Sequence, residues 1–145
     1  MAATELIALH INKGKTLSKT LQDRLDYVQN PEKTEDGNYV SAYDCDPKTV
    51  HKEILLTKRE YQHKIGRQQR KDVIAYMIRQ SFKLGEITLE EANRLGYELS
   101  MCFTKGKHAF IVDTHTDKTH IHNHIIFNST NLEATKKFNN FWFSG

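Results

Sequence analysis

The run His120-Ile121-His122-Asn123-His124-Ile125-Ile126-Phe127-Asn128 sets three histidines at alternate positions, and a fourth, His115, stands just upstream. A β-strand repeats every two residues. His120, His122 and His124 therefore share one strand face, while Ile121, Ile125 and Phe127 line the other. The apolar face suits a core. The other offers a row of imidazoles, side chains well suited to a divalent metal. One histidine alone would read as an exposed polar position; three in phase, with a fourth nearby, read as a metal site.

The chain upstream supplies a partner strand. Lys107-His108-Ala109-Phe110-Ile111-Val112-Asp113-Thr114 is β-rich, follows the turn-like Lys105-Gly106, and leads into Thr116-Asp117-Lys118-Thr119, which reads as a hairpin loop. An even loop sets His115 opposite His120, Asp113 opposite His122 and Ile111 opposite His124. Directly opposed residues share a face, so His115 and Asp113 then join the imidazole row. An odd loop puts His115 on the core face. Its role as a ligand depends on that register.

Leu17, Leu21, Leu25 and Val28 recur at helical spacing, with Ser18 as N-cap and Pro31 ending the helix at or before Asn30. Tyr27 falls about a third of a turn from this apolar stripe. A tyrosine there either covers the edge of the core or turns its hydroxyl toward chemistry.

The stretch from Thr114-His115-Thr116 through His120-Ile121-His122-Asn123-His124 to Asn128 resembles the third motif of plasmid relaxases, the mobilisation nucleases of the HUH endonuclease superfamily. The closest likeness is to the branch with a single active tyrosine. Leu25-Asp26-Tyr27-Val28-Gln29-Asn30-Pro31 resembles its N-terminal tyrosine motif. The likeness extends through Tyr39-Val40-Ser41-Ala42 and Val73-Ile74-Ala75-Tyr76-Met77-Ile78-Arg79-Gln80-Ser81-Phe82, so it covers most of the chain. The histidine motif is its specific part. The resemblance implies that His115, His122 and His124 hold one divalent metal: Mg²⁺ or Mn²⁺ first, with Zn²⁺ or Ni²⁺ as further candidates. It makes Tyr27 the nucleophile. His120 falls between His115 and His122 and is not one of the family's usual three; it and Asp113 are candidates for an additional ligand or a hydrogen-bond partner of the ligands. Asp117 is another such partner, or simply an Asx-turn residue at the loop tip.

The implied reaction is nicking and rejoining of single-stranded DNA at an origin of transfer, through a 5′-phosphotyrosyl intermediate. Accessory relaxosome proteins and a coupling protein are the partners it implies. Two other readings fit the same residues. One is a different HUH enzyme, a replication initiator or transposase; the other is a non-catalytic remnant that binds metal and DNA. A hydrolytic metalloenzyme fits less well, because no acid/base pair stands out.

Composition sets looser bounds. The 145 residues suit one domain with a real core. No apolar run reaches membrane-helix length, and the N-terminus lacks a secretory pattern. Cys45 and Cys102 form no metal spacing and read as small core residues in a reduced, cytoplasmic setting. The net charge of +3 permits nucleic-acid binding without arguing for it. Its distribution says more: Lys58, Arg59, Lys64, Arg67, Arg70 and Lys71, with Tyr61 among them, form a basic stretch able to follow phosphates and stack a base. A solvated helix face is the equal alternative.

The remaining elements give an α+β layout. Strands are expected over 4–11, 39–45 and 72–82, then the two histidine-bearing strands. Helices are expected over 17–30, from Asp46-Pro47 to about Gln62, and from the capping box Thr88-Leu89-Glu90-Glu91 to near Gly106. The expected result is a central, mostly antiparallel sheet of about five strands with helices on one face, as in HUH relaxases. The whole chain, 1–145, then reads as a relaxase catalytic domain. The aromatics of 136–143 suggest the truncated N-terminal part of a longer relaxase, or a short version of one, unless they dock back on the sheet.

Overall fold

A computed structural model of the chain describes residues 3–10, 39–66, 73–116 and 119–134. The expected helix over 17–30 with Tyr27, the basic residues Arg67, Arg70 and Lys71, the loop-tip Asp117 and the aromatics of 136–143 lie outside the described residues. Within them are five strands: β1 (Ala3–His10), β2 (Val40–Tyr43), β3 (Val73–Lys83), β4 (Phe110–Thr116) and β5 (His120–Asn128). Two helices accompany them, α1 (Val50–Ile65) and α2 (Leu89–Thr104). The strands form one sheet in the order β1-β3-β5-β4-β2, and every neighbouring pair is antiparallel. The α+β expectation holds, and the histidine strand β5 is at the centre of the sheet.

The helices are not on one face. Val50 and Ile54 of α1 share a core cluster with Leu9, Met77, Ile111 and Ile126. On the opposite side Tyr97 and Leu99 of α2 pack with Tyr76, Phe110, Val112, Ile125 and Phe127. The reason is visible in Ile125-Ile126-Phe127. Strict alternation stops at His124, and a continuous apolar run follows, as in strands buried on both faces. Ile126 enters the α1 core while Ile125 and Phe127 enter the α2 core, so this end of β5 needs a cover on each side.

The helix ends follow local chemistry. Thr88 caps α2, its hydroxyl accepting from the Glu91 backbone N–H at 3.1 Å and meeting the Glu91 carboxylate at 3.1 Å. Helix α1 starts later than Asp46-Pro47 suggests. Asp46 instead makes a turn, its carboxylate accepting from the Lys48 N–H at 2.9 Å, and the helix opens at Val50. Gly66, at φ 73°, closes α1 by donating its N–H to the Gln62 carbonyl.

Along α2 the buried positions Ala92, Gly96, Ser100 and Thr104 repeat every four residues and are all small. They let the helix lie close to β4 and β5. The Ser100 and Thr104 hydroxyls, buried there, donate back to the carbonyls of Gly96 and Ser100 at 2.8 Å each. The cysteines differ: Cys102 is exposed rather than in the core, whereas the half-buried Cys45 packs against the α1-side core cluster. Burial, reinforced by Glu53, Asp44 and Asp46, pushes the Cys45 thiol up to about 12, which disfavours its thiolate. Neither described helix is long and apolar enough to cross a membrane.

His108 ties the start of the β4 arm to the end of β5. Its buried Nδ1 donates to the Asn128 carbonyl at 2.7 Å, and the ring stands edge-on to Phe127. Burial pushes its pKa below the ordinary value of 6.5, against the opposing pull of backbone bonds with Asn128 and Thr130. The unfolded chain therefore binds this proton more readily than the fold does. The resulting stability is present above pH 6.5 and is lost as pH falls below it. Urea unfolding at pH 7 and pH 5, values straddling the ordinary histidine range of about 6.5, should show a larger acid loss in the wild type than in His108→Gln. Equal losses would mean that His108 titrates alike in both states.

Candidate functional site

The β4–β5 register decides which imidazoles meet. Phe110 pairs with Phe127, Ile111 with Ile126, Val112 with Ile125, Asp113 with His124, Thr114 with Asn123, His115 with His122 and Thr116 with Ile121. The parity is the even one, so His115 and Asp113 do lie on the imidazole face. The pairing sits two residues from the expected position: His115 opposes His122 rather than His120, and Asp113 opposes His124 rather than His122. The cause is side-chain matching across the hairpin. This register sets three apolar pairs against each other and leaves Thr114 opposite Asn123. The expected one would oppose Val112 with Asn123 and Ile111 with His124.

His115, His122 and His124 form a triangle. Ring centroids are 4.6 Å apart for His115–His124, 5.5 Å for His115–His122 and 6.3 Å for His122–His124. His120 stands at the end of the row, 5.9 Å from His122, with its Nδ1 2.7 Å from the Thr119 hydroxyl. Its cross-strand neighbour is Lys83 of β3. Imidazoles bound to one ion through nitrogens about 2.1 Å from it hold their centroids roughly 5 Å apart. The three spacings bracket that value. The rings are tilted or stacked, however, and among the described residues no three His, Cys, Asp or Glu side chains converge on one point. The donor set and the backbone spacing fit a metal; ring rotations would be needed to aim the nitrogens.

Two neighbours tune the row. Ser81 of β3, opposite His122, places its hydroxyl 3.0 Å from His122 Nδ1, so an ion would be met through Nε2. Asp113 is fully buried (0 % exposed), and neither carboxylate oxygen has a hydrogen-bond partner among the described residues. Burial pushes its carboxyl up to about 7. A cation nearby would favour the charged form. His115 and His124 are themselves buried, at 7 % and 5 % exposure.

The opposite face holds the histidine strand in place. Asn123, between His122 and His124, points away from them and is fully buried. Its amide nitrogen donates to Gln80 Oε1 at 2.9 Å and to the Ala92 carbonyl at 2.6 Å. Its carbonyl accepts from the Thr114 hydroxyl, which in turn accepts from Asn93 Nδ2 at 3.0 Å. Gly96 makes room for this: a Cβ there would lie 2.6 Å from Asn123 Nδ2 and 2.9 Å from Val112 Cγ1. None of these residues stands out as functional in the sequence. The available signal was Asn123 itself, a polar side chain in the apolar row Ile121, Asn123, Ile125.

The basic stretch is only partly as expected. Lys58 is buried at 7 % exposure, because it continues the inward stripe of Val50 and Ile54 along α1; it is not a solvated phosphate contact. Arg59 is exposed and Tyr61 half-buried. Lys64 is exposed and donates to the Glu133 carbonyl at 2.6 Å. Among the other tyrosines, Tyr43 and Tyr76 stack on Phe110 and Phe127, and Tyr97 meets Phe110 edge-on, all on the α2 side.

The sequence that builds this sheet and hairpin has relatives. Residues 27–145 match the relaxase family described as MobA/VirD2-like, nuclease domain, and the chain belongs to that family. It is 38 % identical over 100 residues to a protein Rlx of Staphylococcus aureus, covering 69 % of this chain and 28 % of that protein. A second Rlx from the same organism is 40 % identical over 98 residues, covering 68 % and 29 %. The group II intron-interrupted relaxase LtrB of Lactococcus lactis subsp. cremoris is 30 % identical over 152 residues, covering 88 % and 27 %. The chain thus spans less than a third of the length of the curated relatives it matches.

Gly96→Ala tests the clamp behind the histidines. A mid-helix alanine gains about 1 kcal/mol in propensity over glycine, while overpacking costs about 1–3 kcal/mol. Chemical denaturation should show a net loss of up to about 2 kcal/mol. Unchanged or raised stability would mean that Asn123 can move aside without cost.

Proposed function

We propose that this chain is the catalytic domain of a relaxase that nicks and rejoins single-stranded DNA at an origin of transfer by tyrosine transesterification. The observation that carries the reading is the grouping of His115, His122 and His124 on one face of the central hairpin, in a chain of the relaxase nuclease family. These three residues would hold one divalent ion; the relaxase family points to Mg²⁺ or Mn²⁺, while imidazole donors by themselves also suit Zn²⁺ or Ni²⁺. When bound, such an ion supplies a positive charge beside the scissile phosphate and offsets the charge that develops there.

The chain's own residues do the rest. Ser81 holds the His122 ring by its Nδ1. Asp113 places a buried carboxyl among the imidazoles, and its ionisation would balance part of the ion's charge. Tyr27 is the nucleophile: its phenolic oxygen attacks phosphorus, the bond to the 3′-oxygen breaks, and the phenol's proton ends on the departing 3′-hydroxyl. The product is a 5′-phosphotyrosyl link. Reversal by a 3′-hydroxyl rejoins the strand. The packing of Tyr43, Tyr76 and Tyr97 against core aromatics supports assigning this role elsewhere. The reading places the protein in the cytoplasm, working with accessory relaxosome proteins and a coupling protein.

Incubation with labelled single-stranded origin-type oligonucleotides and Mn²⁺, followed by a denaturing gel, tests this. The wild type should form a covalent band, and Tyr27→Phe should lose it while still binding metal. An undiminished band in Tyr27→Phe, or peptide mapping of the adduct to another tyrosine, would overturn the assignment.

A further inference from the structure

A second polar row runs beside the imidazoles. On β3, Lys83 pairs with His120, Ser81 with His122 and Arg79 with His124, so all three share the imidazole face. Alternate residues of a strand advance about 6.7 Å, a step comparable to that between successive phosphates of an extended single strand. Ser81 is committed to His122, and the two cations flank it, one on each side. Arg79 is half exposed. It donates one Nη2 contact at 3.2 Å to Glu5, its neighbour on β1, whose side chain is more exposed still. Lys83 is exposed at the end of the strand.

We propose that Arg79 and Lys83 form a phosphate track along β3 that carries the DNA backbone past the histidines, and that Glu5 limits its grip. The inference rests on the relaxase reading of the site. The guanidinium presents five donors in a planar fork. The Glu5 carboxylate uses one edge of the fork and leaves the rest for a phosphate. Exposed ion pairs such as Arg79–Glu5 are weak, so a polyanion competes readily for the arginine. The same carboxylate repels the strand, which makes it a brake on affinity rather than a contact. Lys58, which is buried, is not part of this track, whereas Arg79 and Lys83 pair directly with His124 and His120.

The test is equilibrium binding of a short fluorescent single strand to the full chain with Mn²⁺ over a salt series. Each lost phosphate contact lowers the slope of log K against log salt by about 0.7. Arg79→Ala and Lys83→Ala should each weaken binding and flatten the slope by about that amount, with Mn²⁺ affinity and melting temperature unchanged. Glu5→Gln should tighten binding in both backgrounds, and by more in the wild type, where it also frees Arg79, than in Arg79→Ala. Arg79→Lys, which keeps the charge, should keep the slope. A wild type that binds the strand with the same slope as Arg79→Ala and Lys83→Ala overturns the track alone. A wild type that does not bind the strand overturns the relaxase reading, and the track with it.

Discussion

The pairing of β4 with β5 is the constraint on which the rest depends. A shift by one residue would turn His115 to the other face. A shift by two would keep the face but break the triangle, because His115 would then oppose His120. Three apolar pairs hold the register at one end, and the Thr114–Asn123 hydrogen bond holds it near the histidines. Each favours the same alignment. The chemistry on one face is thus fixed largely by side chains on the other, where Phe110–Phe127, Val112–Ile125 and Thr114–Asn123 pair.

This division explains why the sheet is covered on both sides. The α2 face carries the load of packing: aromatic stacking around Phe110 and Phe127, and the close approach of small helix residues to β4 and β5. On the other face α1 joins the core through Ile126 and Ile111. Further along β5 the same face turns polar, from His124 to His122 and His120, with Asp113 beside them. A buried carboxyl with no hydrogen-bond partner among the described residues is unfavourable in a plain core. Beside three imidazoles it suits a place where a cation would sit, and natural chains retain such local conflicts at functional sites.

Much of this was legible in the sequence. Alternating histidines gave the shared strand face, because period-two patterning is a strong local signal. The Thr88 capping box gave the start of α2, because the cap chemistry is local too. The hairpin register was not legible, since it depends on which pairs match across the strands, and two even registers look alike along the chain. Nor was the two-sided cover, although Ile125-Ile126-Phe127 carried the clue in its loss of alternation. Lys58 is buried although its charge suggests solvent, because its spacing of four from Ile54 puts it on the buried stripe. Ser81 and Arg79 were invisible as site residues because only the pairing of β3 with β5 brings them beside the histidines. The role proposed for Tyr27 rests on its motif and on the helical spacing of the sequence around it, since it lies outside the described residues.

The central claim is that His115, His122 and His124 together hold one divalent ion. Anomalous diffraction from crystals of the chain soaked in Mn²⁺ tests it most directly. The account predicts one peak on the imidazole face of the β4–β5 hairpin, bonded to a ring nitrogen from each of those three residues, with His120 outside the first coordination sphere. A peak held by His120 with His115 excluded, or a Mn²⁺ ion bound only elsewhere, would contradict it.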